Sequence, residues 1–364
     1  MDIKERGGER MTGVYATAHM LVDLACAYLV YACVIGKQDW YLWLLVYNFC
    51  AFALQMPIGA GADRLNRNSF VAAAGCLGVL AGLILGIGGG QPAAACILAG
   101  TGNACFHVGG GIDVLNHSGK RAAPLGIFVA PGALGIFLGS LLGRAPDRPA
   151  GSTAVLIGIS LILSMAVIRC RARSCKIWKC SGNAPVSYDG IPLRHMLAAL
   201  CFFGAVILRS YSGMVQDFPW KGNTAGSAWL LAGAVVSGKI AGGFLSDKTG
   251  IQTAAFRSMS AAAVGFLCLD SPAAAILAVF CWNMSMPMTL WSVSQVFPGA
   301  KGFSFGLLTF GLFIGFCPVY LEGFGGNAQR GLNSGAASSP VGMALMAVMS
   351  LLLLGWGLRQ VKQT

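Results

Sequence analysis

The chain has 364 residues and a formal net charge of +12, and 56% of its residues are hydrophobic whereas only 10% are charged. A soluble protein would carry about 25% charged residues, so this composition excludes a water-soluble globular protein. The basic residues fall at alternate loops between long apolar runs, which argues against a nucleic-acid-binding protein, because such a protein clusters them on one face. No nucleic acid is therefore expected as a partner.

Twelve apolar runs follow one another along the chain, each close to the ~20 residues that a helix needs to cross the hydrocarbon core of a membrane. The pattern predicts an all-α integral membrane protein with about twelve transmembrane helices. The predicted spans are 12–35, 40–60, 69–88, 92–115, 124–143, 152–169, 194–215, 225–245, 253–270, 272–291, 304–323 and 340–358.

The positions of lysine and arginine predict the orientation. An even number of spans places both termini on one side, and most Lys and Arg residues then fall in the tails and loops of that side. This bias marks cytoplasmic segments, so both termini are predicted to be cytoplasmic. The charged N-terminal segment MDIKERGGER leads directly into an apolar helix and is interpreted as a cytoplasmic tail, not as a signal peptide.

The longest hydrophilic stretch, 169–193, predicts a basic cytoplasmic linker between an N-terminal six-helix bundle, 1–168, and a C-terminal one, 194–364. Its basic residues are expected to contact anionic lipid headgroups. Three cysteines recur in it at five-residue steps, but without a close C-x-x-C pair, so reduced thiols are expected and no metal site is predicted. These are Cys170, Cys175 and Cys180.

Two loops carry the same short pattern: GAGADRLNRN follows the second span and GFLSDKTG follows the eighth. Both resemble the signature G-x-L-A-D-R/K-x-G-R/K of major facilitator superfamily transporters, although Gly61 and Asn66 replace its leucine and glycine in the first copy. The matching residues are Gly59, Asp63, Arg64 and Arg67 in the first copy, and Gly243, Leu245, Asp247, Lys248 and Gly250 in the second.

The repeated pattern suggests a gate. An acid at the cytoplasmic end of one helix can pair with a neighbouring basic group and with a helix N-terminus. Such a latch would hold one conformation of an alternating-access cycle and release in the other. Asp63 and Asp247 are therefore gate residues by hypothesis, and ordinary solvated loop charges are the alternative.

A narrower resemblance covers the first half. Span one contains AHMLVDL, with His19 and Asp23, and span four contains GTGNACFH, which ends at His107. Together they resemble the fosmidomycin-resistance branch of major facilitator exporters, which pairs H-x-x-x-D in helix one with G-T-G-x-x-x-F-H-P-E in helix four. The present chain departs from that branch at Val108 and Gly109, which replace the proline and glutamate.

Span five partly resembles the antiporter signature g-x-x-x-G-P-x-x-G-G of the same superfamily. Gly126, Pro131 and Gly135 fit it, whereas Ala130 and Leu134 do not. Ordinary packing around a proline kink is the alternative interpretation.

Polar side chains within spans are costly, so each suggests a function. His19 and Asp23 are four residues apart and share one face of a helix, as do Asn103 and His107. The resemblance implies that helices one, four, seven and ten line a central cavity. The candidate residues of that cavity are Asn103, His107, Arg209, Trp282 and Asn283.

These residues suggest proton coupling. Asp23 would bind and release a proton, with His19 as its hydrogen-bond partner, because histidine titrates near neutrality. His107 would contact substrate or form a second proton site, and Arg209 would attract an anionic group or pair with Asp23. A static structural pair between His19 and Asp23 is the alternative.

Taken together, the patterns predict proton-coupled export of a drug or an amphiphilic or anionic metabolite. An importer of the same fold, coupled to protons or sodium, is the first alternative, and a non-transporting membrane receptor is the second. No G-x-S-x-G, H-E-x-x-H or P-loop pattern occurs, so neither an enzyme nor a nucleotide-driven pump is predicted. We expect no cofactor or metal, a bacterial cytoplasmic membrane, and a chain that can act as a monomer.

Overall fold

The computed structural model describes residues 3–89, 91–145, 150–174, 183–185, 191–222, 225–324 and 335–362. Within these ranges the structure is all-helical and has no strand, as the sequence predicts. Twelve helices, numbered α1 to α12, follow in chain order. They are Ile3–Leu29, Trp40–Leu65, Asn68–Ile87, Pro92–Ser118, Ala123–Arg144, Ala150–Ser174, Leu193–Val215, Ala225–Thr249, Ile251–Phe266, Pro272–Val296, Lys301–Phe324 and Pro340–Lys362.

Three helices depart from regular α geometry. A π-helical turn, Val30–Val34, extends α1, and another, Phe49–Ala53, interrupts α2. Helix α10 divides at Met284 into two α-helical pieces. In α2 the side-chain amides of Asn48 and Gln55 donate to the carbonyls of Leu44 and Ala51. Side chains on both sides of the irregular turn therefore supply hydrogen bonds where the regular ladder is disturbed.

Ten of these helices are long and apolar enough to cross a membrane. The remaining two, α4 and α9, coincide with predicted spans 92–115 and 253–270. Helix α4 has ample length, but Asn103, His107 and its glycines make it less apolar. Helix α9 has only 16 residues before the chain turns at Leu267.

The polarity of the molecule is inverted relative to a soluble protein. Large apolar side chains such as Leu156, Leu352 and Phe256 are more than 60% exposed, whereas Asp63 is fully buried. In water such an apolar exterior would cost about 25 cal/mol for each Å². The surface therefore fits a lipid environment, and the multi-pass membrane character predicted from the sequence is confirmed.

The chain divides into two compact units. The first contains Met1–Gly119, Ile127–Val186 and Pro298–Phe310, and the second contains Lys120–Gly126, Ser187–Phe297 and Gly311–Thr364. Most of the predicted linker 169–193, including Cys175 and Cys180, lies outside the described residues, whereas Cys170 is exposed at the end of α6.

Glycines allow the helices of the first unit to pack backbone against backbone. A Cβ atom at Gly102 of α4 would lie 2.5 Å from the Val79 nitrogen and 2.7 Å from the Gly75 carbonyl oxygen of α3. Gly135, Gly139 and Gly143 of α5 similarly face the backbone of α1. This is the close packing that small residues spaced by four give membrane helices.

We expect Gly102→Ala to lower the free energy of unfolding by about 1–3 kcal/mol, because backbone atoms cannot move aside for the new methyl group. Gly13→Ala in α1 is the matched control, since a Cβ atom there meets nothing within 4 Å. Thermal melting of the detergent-solubilised protein measures both variants. Equal melting temperatures for the two would contradict this account of the α3–α4 contact.

Candidate functional site

Four polar side chains from α1 and α4 meet in the interior of the first unit, and we call them the histidine–aspartate cluster: His19, Asp23, Asn103 and His107. All four are at least nine-tenths buried. His19 Nε2 lies 3.2 Å from Asp23 Oδ2, and His107 Nε2 lies 3.6 Å from Asp23 Oδ1. Asn103 donates its side-chain amide to Asp23 Oδ1 over 3.0 Å. The i, i+4 spacing places two of these groups on one face of each helix. The packing of α1 against α4 then brings the two pairs together.

The outer nitrogen of each imidazole faces a backbone carbonyl. His19 Nδ1 lies 2.8 Å from the Phe128 oxygen, and His107 Nδ1 lies 2.9 Å from the Asn103 oxygen. A carbonyl oxygen only accepts hydrogen bonds, so both Nδ1 atoms must carry a proton. This assignment of the protons follows from the hydrogen-bond network.

The inner nitrogens face each other: His19 Nε2 and His107 Nε2 are 2.7 Å apart. If both rings were neutral, with their protons on Nδ1, two lone pairs would point at each other at hydrogen-bond distance. A hydrogen bond between these two nitrogens therefore requires one additional proton between them. With this additional proton the histidine pair carries one positive charge, which the carboxylate of Asp23 balances.

Apolar and small residues lie against one side of the cluster. The rings of Phe106 and Phe128 lie 6.1 Å and 4.9 Å from the His19 ring, centroid to centroid. A Cβ atom at Gly132 of α5 would lie 2.6 Å from Asp23 Oδ2 and would also strike His19 Nε2. Glycine at position 132 therefore leaves room for the cluster against α5.

The other three predicted cavity residues lie in the second unit. Arg209 of α7 is buried, and within the described part of the chain its Nη1 atom has no hydrogen-bond partner. The indole of Trp282 donates to Ser212 Oγ over 2.9 Å, and Ser212 in turn donates to the Arg209 carbonyl oxygen. Asn283 donates to the Val279 carbonyl oxygen of its own helix. Arg209 and Trp282 are therefore connected through Ser212.

Both repeated aspartates accept hydrogen bonds at the start of a helix. Asp63 accepts from the backbone nitrogens of Gly302 and Phe303 over 2.8 Å and 2.9 Å, at the N-terminus of α11. Asp247 accepts from those of Ala122 and Ala123 over 2.6 Å and 3.1 Å, at the N-terminus of α5. Carboxylates are stabilised at this end of a helix by its free N–H groups and its dipole.

The two copies differ in burial, since Asp63 is fully buried whereas Asp247 is exposed. The glycine that opens each copy permits a backbone contact: a Cβ atom on Gly59 would strike Gly302, and one on Gly243 would strike Ala123. The basic residues that follow the aspartates are exposed, and within the described ranges none forms an ion pair with either carboxylate. These are Arg64, Arg67 and Lys248.

The backbone explains why asparagine can replace the signature glycine in the first copy. Asn66 has φ +51° and Gly250, at the equivalent position of the second copy, has φ +83°. Both residues end a helix in a conformation with positive φ, which glycine adopts freely and asparagine tolerates. Asn66, with ψ +36°, is in the left-handed helical region, whereas Gly250, with ψ +146°, is in a region that is open almost only to glycine. The two copies therefore end their helices differently, and the first copy uses a conformation that accepts asparagine.

The residues of the antiporter-like pattern in α5 pack against other helices. Gly135 faces the Met20 carbonyl of α1, and a Cβ atom on Gly126 would lie 2.6 Å from the Lys239 carbonyl oxygen of α8. Pro131 lies inside α5. These contacts agree with the packing interpretation of the pattern.

A second buried polar network was missed by the sequence analysis. Asp113 accepts from Tyr15 Oη over 2.6 Å and from Asn68 Nδ2 over 2.9 Å. Asn183, from the linker, donates to Asn68 Oδ1 and accepts from Asn116 through its side chain. Three of these residues are asparagines in or beside loops, where composition alone does not distinguish a structural amide from a solvated one.

No protein-family model and no curated protein matches the sequence. Solved structures do match. The E. coli fucose:proton symporter FucP is 14% identical, with a TM-score of 0.61 and coverage of 98% of each chain. The human organic anion transporter MFSD10 is 15% identical, with a TM-score of 0.70, over 95% of this chain and 99% of that one.

A bacterial homologue of the iron transporter ferroportin, in an outward-facing state, is 13% identical over 100% of this chain and 99% of that one, with a TM-score of 0.60. FucP is a major facilitator superfamily transporter. The chain therefore has the major facilitator fold, as predicted from its repeated loops.

We expect Asp63→Ala to lower the free energy of unfolding by about 1–3 kcal/mol, because it removes the acceptor of one buried and one partly buried backbone N–H group. Asp63→Asn, which keeps one carbonyl oxygen, should lose less, as should Asp247→Ala at its exposed site. Asp270→Ala, an exposed position, is the control. Thermal melting in detergent compares the four variants, and a melting temperature for Asp63→Ala equal to that of the control would refute the latch.

Proposed function

We propose that this chain is a secondary active transporter of the major facilitator superfamily, which moves a small molecule across a cell membrane by alternating access coupled to protons. The observation that carries the proposal is the 2.7 Å approach of His19 Nε2 to His107 Nε2 beside Asp23. This arrangement holds a proton in the interior of a fold that is shared with transporters.

The charge balance of the cluster explains how a proton could drive a conformational change. With one shared proton, the positive histidine pair and the negative Asp23 sum to zero. Removing the proton leaves an uncompensated buried carboxylate and two opposed lone pairs, which costs about 3–5 kcal/mol in comparable buried pairs. Loss of the proton thus favours a conformation in which water reaches the cluster.

The geometry extends the role that we predict for Asp23 from the sequence. In this proposal the histidine pair carries the coupled proton, with Asp23 as the counter-charge and Asn103 as its orienting donor. His107 then belongs to the proton site itself. Asp63 and Asp247 act as latches that stabilise one conformation of the cycle through the N-termini of α11 and α5.

Export of a drug or an amphiphilic or anionic metabolite is the direction we favour. The resemblance of helices α1 and α4 to the fosmidomycin-resistance branch supports it. Arg209 suits an anionic substrate, because its buried Nη1 atom has no hydrogen-bond partner among the residues that the structure describes. Import coupled to a proton is the second candidate, and the likeness to a fucose:proton symporter supports that one.

The proposed setting follows from the same features. The bias of basic residues favours cytoplasmic termini in a bacterial cytoplasmic membrane, and the basic linker is suited to anionic lipid headgroups. A single chain contains both six-helix bundles, 1–168 and 194–364, so a monomer suffices for alternating access.

The test is proton movement in proteoliposomes loaded with a pH-sensitive dye, using a panel of organic anions and amphiphilic drugs against wild type. We expect active compounds to trigger proton flux in wild type, and Asp23→Asn and His107→Gln to reduce that flux roughly a hundredfold or more, given the free energy of the buried pair. The sign of the flux relative to the compound gradient distinguishes export from import.

Asp270→Asn is the matched control, because it removes an exposed carboxylate and leaves the cluster intact. Normal coupled flux in Asp23→Asn and His107→Gln would make the cluster a structural element. Sodium-dependent transport without proton movement would show that sodium, and not the proton, is the coupling ion.

A further inference from the structure

We propose that the histidine–aspartate cluster also binds a divalent transition-metal ion, with His19 Nε2, His107 Nε2 and the Asp23 carboxylate as its three protein ligands. This goes beyond the proposed function, since it gives the site a second occupant that competes with the proton. It also departs from the sequence analysis, which predicted no metal.

The donor set suits such an ion. One potential ligand atom from each of the three residues lies within 4.8 Å of the others. Two imidazoles and one carboxylate are the ligands of non-haem Fe²⁺ sites and of zinc sites that keep an open position. Mg²⁺ and Ca²⁺ prefer all-oxygen surroundings, so the nitrogen donors select against them.

The surrounding hydrogen bonds are those that a metal site requires. Both Nδ1 atoms donate to backbone carbonyls, which fixes the tautomer that leaves each Nε2 lone pair pointing inward. Asn103 holds the Asp23 carboxylate through Oδ1. Metal-binding histidines almost always show such an outer hydrogen bond, because it orients the ring and raises its basicity.

The distances are close to those of a bound site. With ligands ~2.0–2.1 Å from a tetrahedral ion, two ligand atoms are roughly 3.3 Å apart. His19 Nε2 lies 3.2 Å from Asp23 Oδ2 and His107 Nε2 lies 3.6 Å from Asp23 Oδ1, so each imidazole has one carboxylate oxygen near this distance. Only the 2.7 Å between the two Nε2 atoms must widen, by about half an ångström, which side-chain rotation supplies.

Metal binding exchanges one ion for one proton. The shared proton leaves the histidine pair, both Nε2 lone pairs become ligands, and Asp23 remains ionised. The cluster then changes from neutral to a net charge of +1, and one proton is released for each metal bound. No electron is transferred and no covalent bond other than the N–H bond is broken.

The experiment titrates the full-length protein, purified in detergent and stripped with a chelator, with Zn²⁺ and Co²⁺. Calorimetry in buffers of different ionisation enthalpy counts the protons released, and the visible absorption of Co²⁺ reports its ligand geometry. We expect one ion and about one proton per chain, with absorption typical of nitrogen and oxygen ligands in low coordination. Mg²⁺ should give no heat and no competition.

Variants separate the cluster from other donors. His107→Gln and Asp23→Asn should abolish the stoichiometric site, and Asn103→Ala should weaken it by about 10–100-fold, because it removes only an outer hydrogen bond. His195→Gln, outside the cluster on α7, is the control and should bind as wild type does. Melting temperatures of the apo proteins identify any variant that fails to fold, and Asn103→Ala then supplies the graded readout.

Equal binding by wild type and His107→Gln would overturn the metal site, and so would the absence of Zn²⁺ and Co²⁺ binding by folded wild type. Neither result bears on proton-coupled transport, which is measured in liposomes without added metal. Conversely, a protein that binds Co²⁺ at the cluster and moves no protons would retain this site and lose the proposed function.

Discussion

The close approach of α1, α4 and α5 sets the position of every group in the histidine–aspartate cluster. Gly135 and Gly139 let α5 lie against the α1 backbone, and Gly132 leaves room for Asp23 beside α5. The same approach brings the Phe128 carbonyl of α5 to His19 Nδ1. This one contact places a proton on Nδ1 of the ring and leaves Nε2 to face His107 and Asp23. The packing of these three helices therefore determines the hydrogen bonding of the cluster.

The elements that the sequence predicts well are those governed by period and composition. Long apolar runs locate the helices, and the four-residue spacing of His19 with Asp23 and of Asn103 with His107 places each pair on one face. The rotation and depth of α1 relative to α4 depend on tertiary packing and not on local sequence. The contact between the two Nε2 atoms and the hydrogen bonds of both Nδ1 atoms to backbone carbonyls could therefore not be predicted. The contacts of the linker residue Asn183 are still harder to predict, because its partners Asn68 and Asn116 are more than sixty residues away in the chain.

The two copies of the loop show that similar sequences can form contacts of different strength. Asp63 and Asp247 make the same pair of bonds to a helix N-terminus, but the former is fully buried and the latter is exposed. A charge-assisted bond gains strength where water is excluded and is screened where water is present. The first copy, which matches the signature less well, therefore makes the stronger contact, supported by a helix end that Asn66 completes in place of glycine.

The π-helical turn Phe49–Ala53 and the break at Leu54 have a mechanical consequence. They interrupt the regular hydrogen-bond ladder of α2 between its first part, Trp40–Asn48, and its last part, Gln55–Leu65, which carries Gly59 and Asp63. A helix bends most easily where its backbone hydrogen bonds are interrupted. The segment that bears Asp63 can consequently tilt as a short lever while the remainder of α2 stays packed, so a small rotation at the midpoint becomes a larger displacement at the carboxylate.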